Sequence, residues 1–373
     1  MKRLNILALN WQDLKNPMSG GAEVHLEEML RRLAAWGHKV TLVCSNFRGG
    51  AGEEIMEKVR IVRAGNRYNF NFVAPLIIRR LTKAESFDLF LEDINKIPFY
   101  SPLYQKLPTI VIIPHLFSTA VFQEINFILG SYIYLAEMFI RPIYGKRKFC
   151  VISESTAADM VARGIPENEV SIIHCGIDRS LYNNSAGMQK FDRPTILYLG
   201  RIKKYKSIHH LISAFAMVRQ KLPDARLVIV GAGDYLESLT KQATGLGLGA
   251  AVEFTGFVPS DKKVEYLCRS HVMVYPSLKE GWGLTNIEAN SCGTTAVAAD
   301  TPGLRDSVRH GISGLLYPYG RIDRLAESLL AILTDDQLRR RLEQGALEWA
   351  ERFHWDRSAR LFEELCLAVA EKK

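Results

Sequence analysis

The chain has 373 residues, 47% hydrophobic and 24% charged, with 48 lysines and arginines against 40 acids for a formal charge of +8. These are the proportions of a folded soluble protein, and the length exceeds what one compact core holds, so two domains of ordinary size are expected. Cys44, Cys150, Cys175, Cys268, Cys292 and Cys366 include no C-x-x-C pair, which argues against a zinc site or a disulfide framework and for a reducing cytoplasm.

The N-terminus, MKRLNILALNWQ, has an apolar run too short for a secretory signal, and it reads as a first buried strand, Leu4–Leu9. Helical sequence follows from about Ala22 to Trp36, and Gly37 stops it. Strands are predicted at Val40–Cys44, Val59–Val62, Leu89–Glu92 and Thr109–Ile113. Near-continuous apolar strands alternating with helices predict a parallel sheet covered on both faces. Residues 117–144, FSTAVFQEINFILGSYIYLAEMFIRPIY, are rich in aromatic and aliphatic side chains and precede the basic GKRKF. Glu124, Asn126, Glu137 and Arg141 interrupt this run, so it does not read as a transmembrane helix. It suits a buried helix, a dimer contact, or an interfacial helix whose basic end meets anionic lipid headgroups.

The polar segment 183–194, NNSAGMQKFDRP, is the best linker, after which the pattern restarts. Thr195–Leu199 is a strand, His209–Gln220 a helix, Arg226–Val230 a strand and Tyr235–Thr244 a helix. Strands follow at Val252–Phe254 and Val272–Tyr275, then a helix from Thr285, a strand at Ala296–Ala298, and a final helix from Trp355 to Lys373. The division expected is 1–182, a linker at 183–194, 195–354, and 355–373. Two Rossmann-like α/β domains facing across a cleft follow, with ligands at the carboxyl ends of the strands.

Residues 274–297, VYPSLKEGWGLTNIEANSCGTTAV, constrain the chemistry most. A strand stops at Pro276, glycines 281 and 283 follow, and a helix begins near Thr285, with Glu280 and Glu288 eight residues apart. Glycines leave backbone amides open to an anion, a helix N-terminus favours phosphate, and a carboxylate one turn into the helix accepts ribose hydroxyls. The segment therefore reads as a site for a nucleotide diphosphate-sugar. Thr285-x-x-Glu288 also has the spacing of a capping box, a purely structural use of the same carboxylate. Gly231-Ala232-Gly233 after RLVIV lacks the rest of a dinucleotide fingerprint, which discounts NAD. The positive charge suits acidic small molecules or an anionic bilayer; no RNA-binding motif accompanies it, so no nucleic acid is expected.

This E-x7-E arrangement resembles the signature of retaining glycosyltransferases of the GT-B fold, in particular glycosyltransferase family 4. The resemblance extends from SGGAE at Ser19–Glu23 through LGRIKKYKS at Leu199–Ser207 to FHWDRSA at Phe353–Ala359. It implies the GT-B fold, with the last helix crossing back to the first domain, and transfer of a hexose from a nucleotide sugar. The acceptor implied is a glycan or a lipid-linked sugar in cell-surface polysaccharide or glycolipid synthesis. By the same resemblance Glu280 holds donor-sugar hydroxyls, and Gly281, Trp282, Gly283, Leu284 and Thr285 present amides to the diphosphate. Glu288 takes the ribose, and Arg201 and Lys206 stabilise the departing nucleoside diphosphate. His115, after TIVIIP, faces the donor sugar. Gly20 and Gly21 offer amides to an anion, although a plain helix start explains them nearly as well. Gly231, Gly233, Phe257 and Val258 border the nucleobase.

The chain departs from the family pattern in places. Lys203 and Lys204 leave the register of Lys206 open, and Ser207 stands where relatives usually have glycine. Trp282 replaces a common phenylalanine, Thr295 a common proline, and Cys175 the amide of an N-G-[VI]-D motif. There is no D-x-D motif, so Arg201 and Lys206 are expected to do the work of a divalent metal, with no cofactor. No covalent nucleophile stands out, which suits a front-face route assisted by the leaving phosphate. The alternative is a non-catalytic nucleotide-sugar-binding scaffold. An epimerase or a phosphorylase fits the motifs less well, and the base, the hexose and the acceptor stay open.

Overall fold

The computed structural model describes residues 2–123, 126–184 and 187–371. Glu124 of the apolar run, Ser185 and Ala186 of the expected linker, and Lys372 and Lys373 of the last expected helix lie outside the described residues. The chain divides into two compact units, Met1–Gly176 with Trp355–Lys373, and Ile177–His354.

The first unit is built on eight strands: β1 (Asn5–Leu9), β2 (Lys39–Ser45), β3 (Glu53–Met56), β4 (Val59–Ala64), β5 (Leu89–Asp93), β6 (Thr109–Ile113), β7 (Lys148–Val151) and β8 (Val170–Ile172). Their order is β3-β4-β2-β1-β5-β6-β7-β8, parallel throughout except for the β3–β4 pair. β5 (LFLED) and β6 (TIVII) are buried along their whole length, as strands covered on both faces must be. The β3–β4 hairpin is absent from the sequence expectations. Its turn residues Glu57 and Lys58 have φ of +47° and +67°, a geometry that Asn-Gly or Asp-Gly ordinarily signals and that Glu-Lys does not. The helix Phe70–Ala84 is also absent from them, because Pro75 inside it breaks the helical reading.

The last helix, Trp355–Ala370, belongs to this unit, where it packs on the helix Gly21–Ala35 and on β5 and β6. Long-range links hold it, among them the Ser358 hydroxyl donating to His174 O at 2.7 Å. Arg32 Nε donates to Asp356 at 2.6 Å, and His38 Nε2 lies 3.0 Å from Glu363 Oε1 in a buried pair. His38 Nδ1 accepts the Leu4 N–H at 3.1 Å, so Nε2 carries the ring proton and donates it to Glu363.

The second unit has six strands, β9 (Thr195–Leu199), β10 (Arg226–Val230), β11 (Val252–Gly256), β12 (Val272–Tyr275), β13 (Ala296–Ala299) and β14 (Gly314–Tyr317). They are all parallel, in the order β11-β10-β9-β12-β13-β14. One continuous core runs beneath them, from Ile196 through Phe215 and Val274 to Leu329. The first and last residues of this unit, Ile177 and His354, meet in a parallel bridge. Two Rossmann-like α/β units, with the C-terminal helix in the first, make the GT-B architecture.

Candidate active site

Because β9 and β12 are neighbours, the loops at their carboxyl ends lie side by side, and Leu278 N–H donates to Tyr205 O at 3.0 Å. This brings together two residues separated by 74 positions. Lys206 Nζ donates to Glu280 Oε1 at 2.5 Å and to the Tyr275 hydroxyl at 3.1 Å. The ammonium also lies over the rings of Tyr205 and Tyr275, at 4.9 and 5.0 Å. Burial works against the Lys206 charge, but the Glu280 carboxylate and the surrounding tyrosines outweigh it and hold the pKa well above the usual lysine value.

Of the three lysines in RIKKYK, Lys206 is the one paired with Glu280. Lys203 is engaged with Asp234 at 2.6 Å, Lys204 is exposed, and Lys206 is the buried cation. Arg201 is exposed, and among the described residues no partner holds its guanidinium. Ser207 adopts φ +53°, a left-handed conformation that costs a non-glycine residue about 1 kcal/mol or more, and this explains the glycine usual in relatives. Its hydroxyl lies 2.9 Å from that of Tyr319, a partial offset that glycine lacks.

Gly231 and Gly233 have a steric task. A Cβ on Gly231 would lie 2.0 Å from Gly200 O, and one on Gly233 would lie 1.9 Å from Ile202 O. The Ile202 N–H donates to Ala232 O at 2.9 Å and the Gly231 N–H to Gly256 O at 2.9 Å. The glycines thus let three loops close on one another at the carboxyl ends of β9, β10 and β11. Beyond Gly256, Phe257 projects its ring into solvent with 89% exposure, while Val258 packs on the core.

The helix Leu284–Ser291 starts at Gly283, whose φ is +97°, with no side-chain cap. Thr285 therefore lies inside the first turn, and the capping box that its spacing with Glu288 allows does not form. Among the described residues nothing accepts the N–H groups of Leu284 and Thr285. Trp282 is buried edge-on against Phe353, with ring centroids 5.3 Å apart, so the loop offers backbone where many relatives carry phenylalanine.

Glu288 instead points at a cation. Its Oε2 lies 2.9 Å from Nζ of Lys263, on the helix Ser260–Arg269. Lys263 also donates to the Tyr182 hydroxyl at 2.6 Å and lies 4.6 Å from the centre of that ring. Burial opposes the Lys263 charge, but Glu288 and Tyr182 outweigh it and raise its pKa. Lys263 was not legible in the sequence, where neither its helix nor any local signal in DKKVEY marks it as the partner of Glu288. Gly303, with φ +80°, escaped notice as well; a Cβ there would meet Glu280 O at 2.2 Å, so it lets the β13 loop pack beneath Glu280.

In the first unit, β1, β5 and β6 are adjacent and parallel, so Asp93, the last residue of β5, and the segments holding Gly20–Gly21 and His115 lie at or after the carboxyl ends of neighbouring strands. Gly20 is the N-cap of the helix Gly21–Ala35, and its N–H donates to Glu23 Oε2 at 2.8 Å. Glu23 Oε1 accepts from Asn95 at 3.1 Å. The Gly20 amide is thus occupied by the chain's own carboxylate, while among the described residues nothing accepts those of Gly21 and Ala22. His115 is half-buried and meets the Phe117 ring edge-on at 5.1 Å.

Asp93 is fully buried, and among the described residues nothing hydrogen-bonds to either of its oxygens; burial, reinforced by nearby Glu23, holds its pKa well above the usual range. The folded protein then keeps a proton that the unfolded chain loses near pH 4, so this group lowers stability as pH rises from there toward the folded pKa. Asp93→Asn is expected to gain stability over the wild type, with a margin that grows between pH 4 and pH 8. Denaturant unfolding across that range checks it, and a margin flat in pH would show that Asp93 is ionised in the fold.

The chain is similar to known proteins in both halves. The family model for glycosyltransferase family 4 matches residues 19–181, and that for glycosyl transferases group 1 matches residues 185–349. A D-inositol 3-phosphate glycosyltransferase of Kribbella flavida is 29% identical over 213 residues, covering 52% of this chain and 50% of that protein. The chain spans about half the length of the curated relatives it matches. Sucrose-phosphate synthase from Thermosynechococcus elongatus superposes with a TM-score of 0.81 at 20% identity, covering 99% of this chain and 100% of that one. Anabaena HepE, in complex with UDP-glucose, superposes at 0.78 with 18% identity, covering 98% of this chain and 100% of that one. The two family matches together span most of the chain, and the chain belongs to the family-4-like glycosyltransferases of the GT-B fold.

Proposed function

We propose that this protein moves a hexose from a nucleotide diphosphate-sugar to a glycan or lipid-linked acceptor, retaining configuration and using no divalent metal. The observation that carries the reading is the segment from Glu280 to Glu288, with its uncapped helix N-terminus between two carboxylates that each face a lysine. The diphosphate lies against the free N–H groups of Leu284 and Thr285, where backbone donors and the helix dipole favour an anion. Lys206 and Arg201 supply the positive charge that the departing nucleoside diphosphate needs. Glu280, fixed by Lys206, receives sugar hydroxyls; Glu288, oriented by Lys263, receives those of the ribose. Family membership supports retention, and the bound UDP-glucose of HepE supports a nucleotide-sugar donor.

Melting temperatures and donor hydrolysis, measured in EDTA with UDP- and GDP-sugars, test this reading. One donor is expected to stabilise the protein and to be slowly hydrolysed. Glu288→Gln is expected to weaken that donor by about ten- to a hundredfold, the loss of one charge-assisted hydrogen bond, and to lower the melting temperature as well, because Lys263 loses its counter-charge; the weakening is read as donor-induced stabilisation relative to each protein's own melting temperature. If no donor stabilises the protein, the assignment fails. If turnover appears only with added magnesium, the metal-independent part fails.

The acceptor side has its own support. The helix Phe127–Met138 leaves Phe127, Ile128, Leu129, Leu135 and Met138 exposed, and Phe139 follows, also exposed. No helix among the described residues is long and apolar enough to cross a membrane. A short helix with bare apolar side chains suits the bilayer interface, where it would hold the protein peripherally on the inner face of the membrane, near a lipid-linked acceptor.

A further inference from the structure

At the amino ends of β6 and β7 lies a cavity of about 460 Å3 whose wall carries Lys106, Lys146, Arg147 and Lys148, with Glu169 as the acid among them. The β6–β7 register pairs Ile110 with Lys148, which brings the segments 106–109 and 146–148 together. Lys148 lies 3.1 Å from Glu169, so that acid is already engaged. Among the described residues, Lys106, Lys146 and Arg147 have no acidic partner. Cations gathered at one cavity repel each other unless an anion joins them. No aromatic ring lines the cavity, which leaves nothing to stack a nucleobase. The five residues of β6 separate it from His115, about 17 Å at the rise of a strand, so it lies at the opposite end of the strand from that residue.

We propose that this cavity is a phosphate-binding site, distinct from the donor site, whose physiological occupant is the phosphate of an anionic lipid headgroup. The chain itself favours the lipid source. Lys146 and Arg147 follow the short helix Ile140–Tyr144, which comes directly after the exposed apolar helix Phe127–Met138. The other wall is tied to that helix too, because the Tyr100 hydroxyl donates to Ala136 O at 3.0 Å a few residues before Lys106. Apolar side chains that enter an interface and cations that meet phosphate thus share one short stretch, which is the pairing peripheral attachment needs. The site does not depend on the donor reading; only the lipid source rests on the membrane reading.

The test uses the full chain, co-sedimented with phosphatidylglycerol–phosphatidylcholine vesicles and with pure phosphatidylcholine vesicles, and its melting temperature in inorganic phosphate at constant ionic strength. Lys146→Ala/Arg147→Ala is expected to reduce binding to the acidic vesicles roughly thirtyfold, since each cation near an anionic surface contributes about a fivefold factor. Donor stabilisation is expected to stay unchanged, which controls for folding. A phosphate-dependent melting shift lost in this variant, with vesicle binding intact, would support the cavity and assign it a soluble phosphate. The proposal is overturned if the variant binds both probes as the wild type does, or if chloride at equal ionic strength acts as phosphate does. Phe127→Ser/Ile128→Ser separates the two readings: loss of vesicle binding here, with the phosphate response kept, confines that loss to the apolar helix.

Discussion

Lys206→Met is expected to cut transfer by about a hundred- to a thousandfold and also to destabilise the second unit by about 3–5 kcal/mol. Both losses have one origin. Lys206 is buried and bonded to Glu280 at 2.5 Å, so removing it strands a largely buried carboxylate and, in the role proposed for it, takes a cation from the leaving group. The single variant cannot separate these effects, but a second substitution can. In Lys206→Met/Glu280→Gln no buried charge is left unpaired, so most of the stability is expected to return while transfer stays lost. Turnover and thermal unfolding of the singles and the double form the cycle that checks it. A double variant as unstable as the singles would show that the ion pair is not the source of the instability. Wild-type turnover in Lys206→Met would remove Lys206 from the chemistry.

Gly231→Ala is expected to cost about 3 kcal/mol or more and to abolish donor binding even where the protein stays folded. Its Cβ would fall 2.0 Å from Gly200 O, which is backbone and has no rotamer to yield, so the loop carrying Arg201 and Lys206 must shift. Gly320→Ala is the control for a positive φ in open space. Its φ of +82°, against +137° at Gly231, also lies where L residues are strained, but nothing lies within 4 Å of a Cβ there. Strain alone then costs about 1 kcal/mol, with donor affinity intact. Denaturant unfolding with donor titration on both variants decides the matter: equal losses would mean that backbone strain, not the approach of the two loops, is what matters at Gly231.

The fold was legible to a large extent because its signals are local. Buried parallel strands such as TIVII and RLVIV are apolar after their first residue, and Gly37 marks a helix end by its own conformation. Two omissions were local in origin: Glu57-Lys58 turns without a turn signature, and Pro75 sits inside a helix. The strands β7, β8 and β14 and the helices Glu154–Ala162, Ser260–Arg269, Ile322–Thr334 and Asp336–Ala350 were absent from the expectations as well. Within the candidate site, the pair Glu280 and Glu288 stood out by spacing, but spacing left the capping box open. Only the helix start at Gly283 closed it.

Sequence by itself determined the α/β alternation, the glycine-rich segment after β12 and the two carboxylates within it, because each depends on residues a few positions apart. Tertiary structure decided what those carboxylates face. Lys206 meets Glu280 across 74 positions because β9 and β12 are neighbours in the sheet. Lys263 meets Glu288 because the helices on either side of β12 pack together. Strand order and helix packing are settled by burial of the whole core, and no local pattern encodes them.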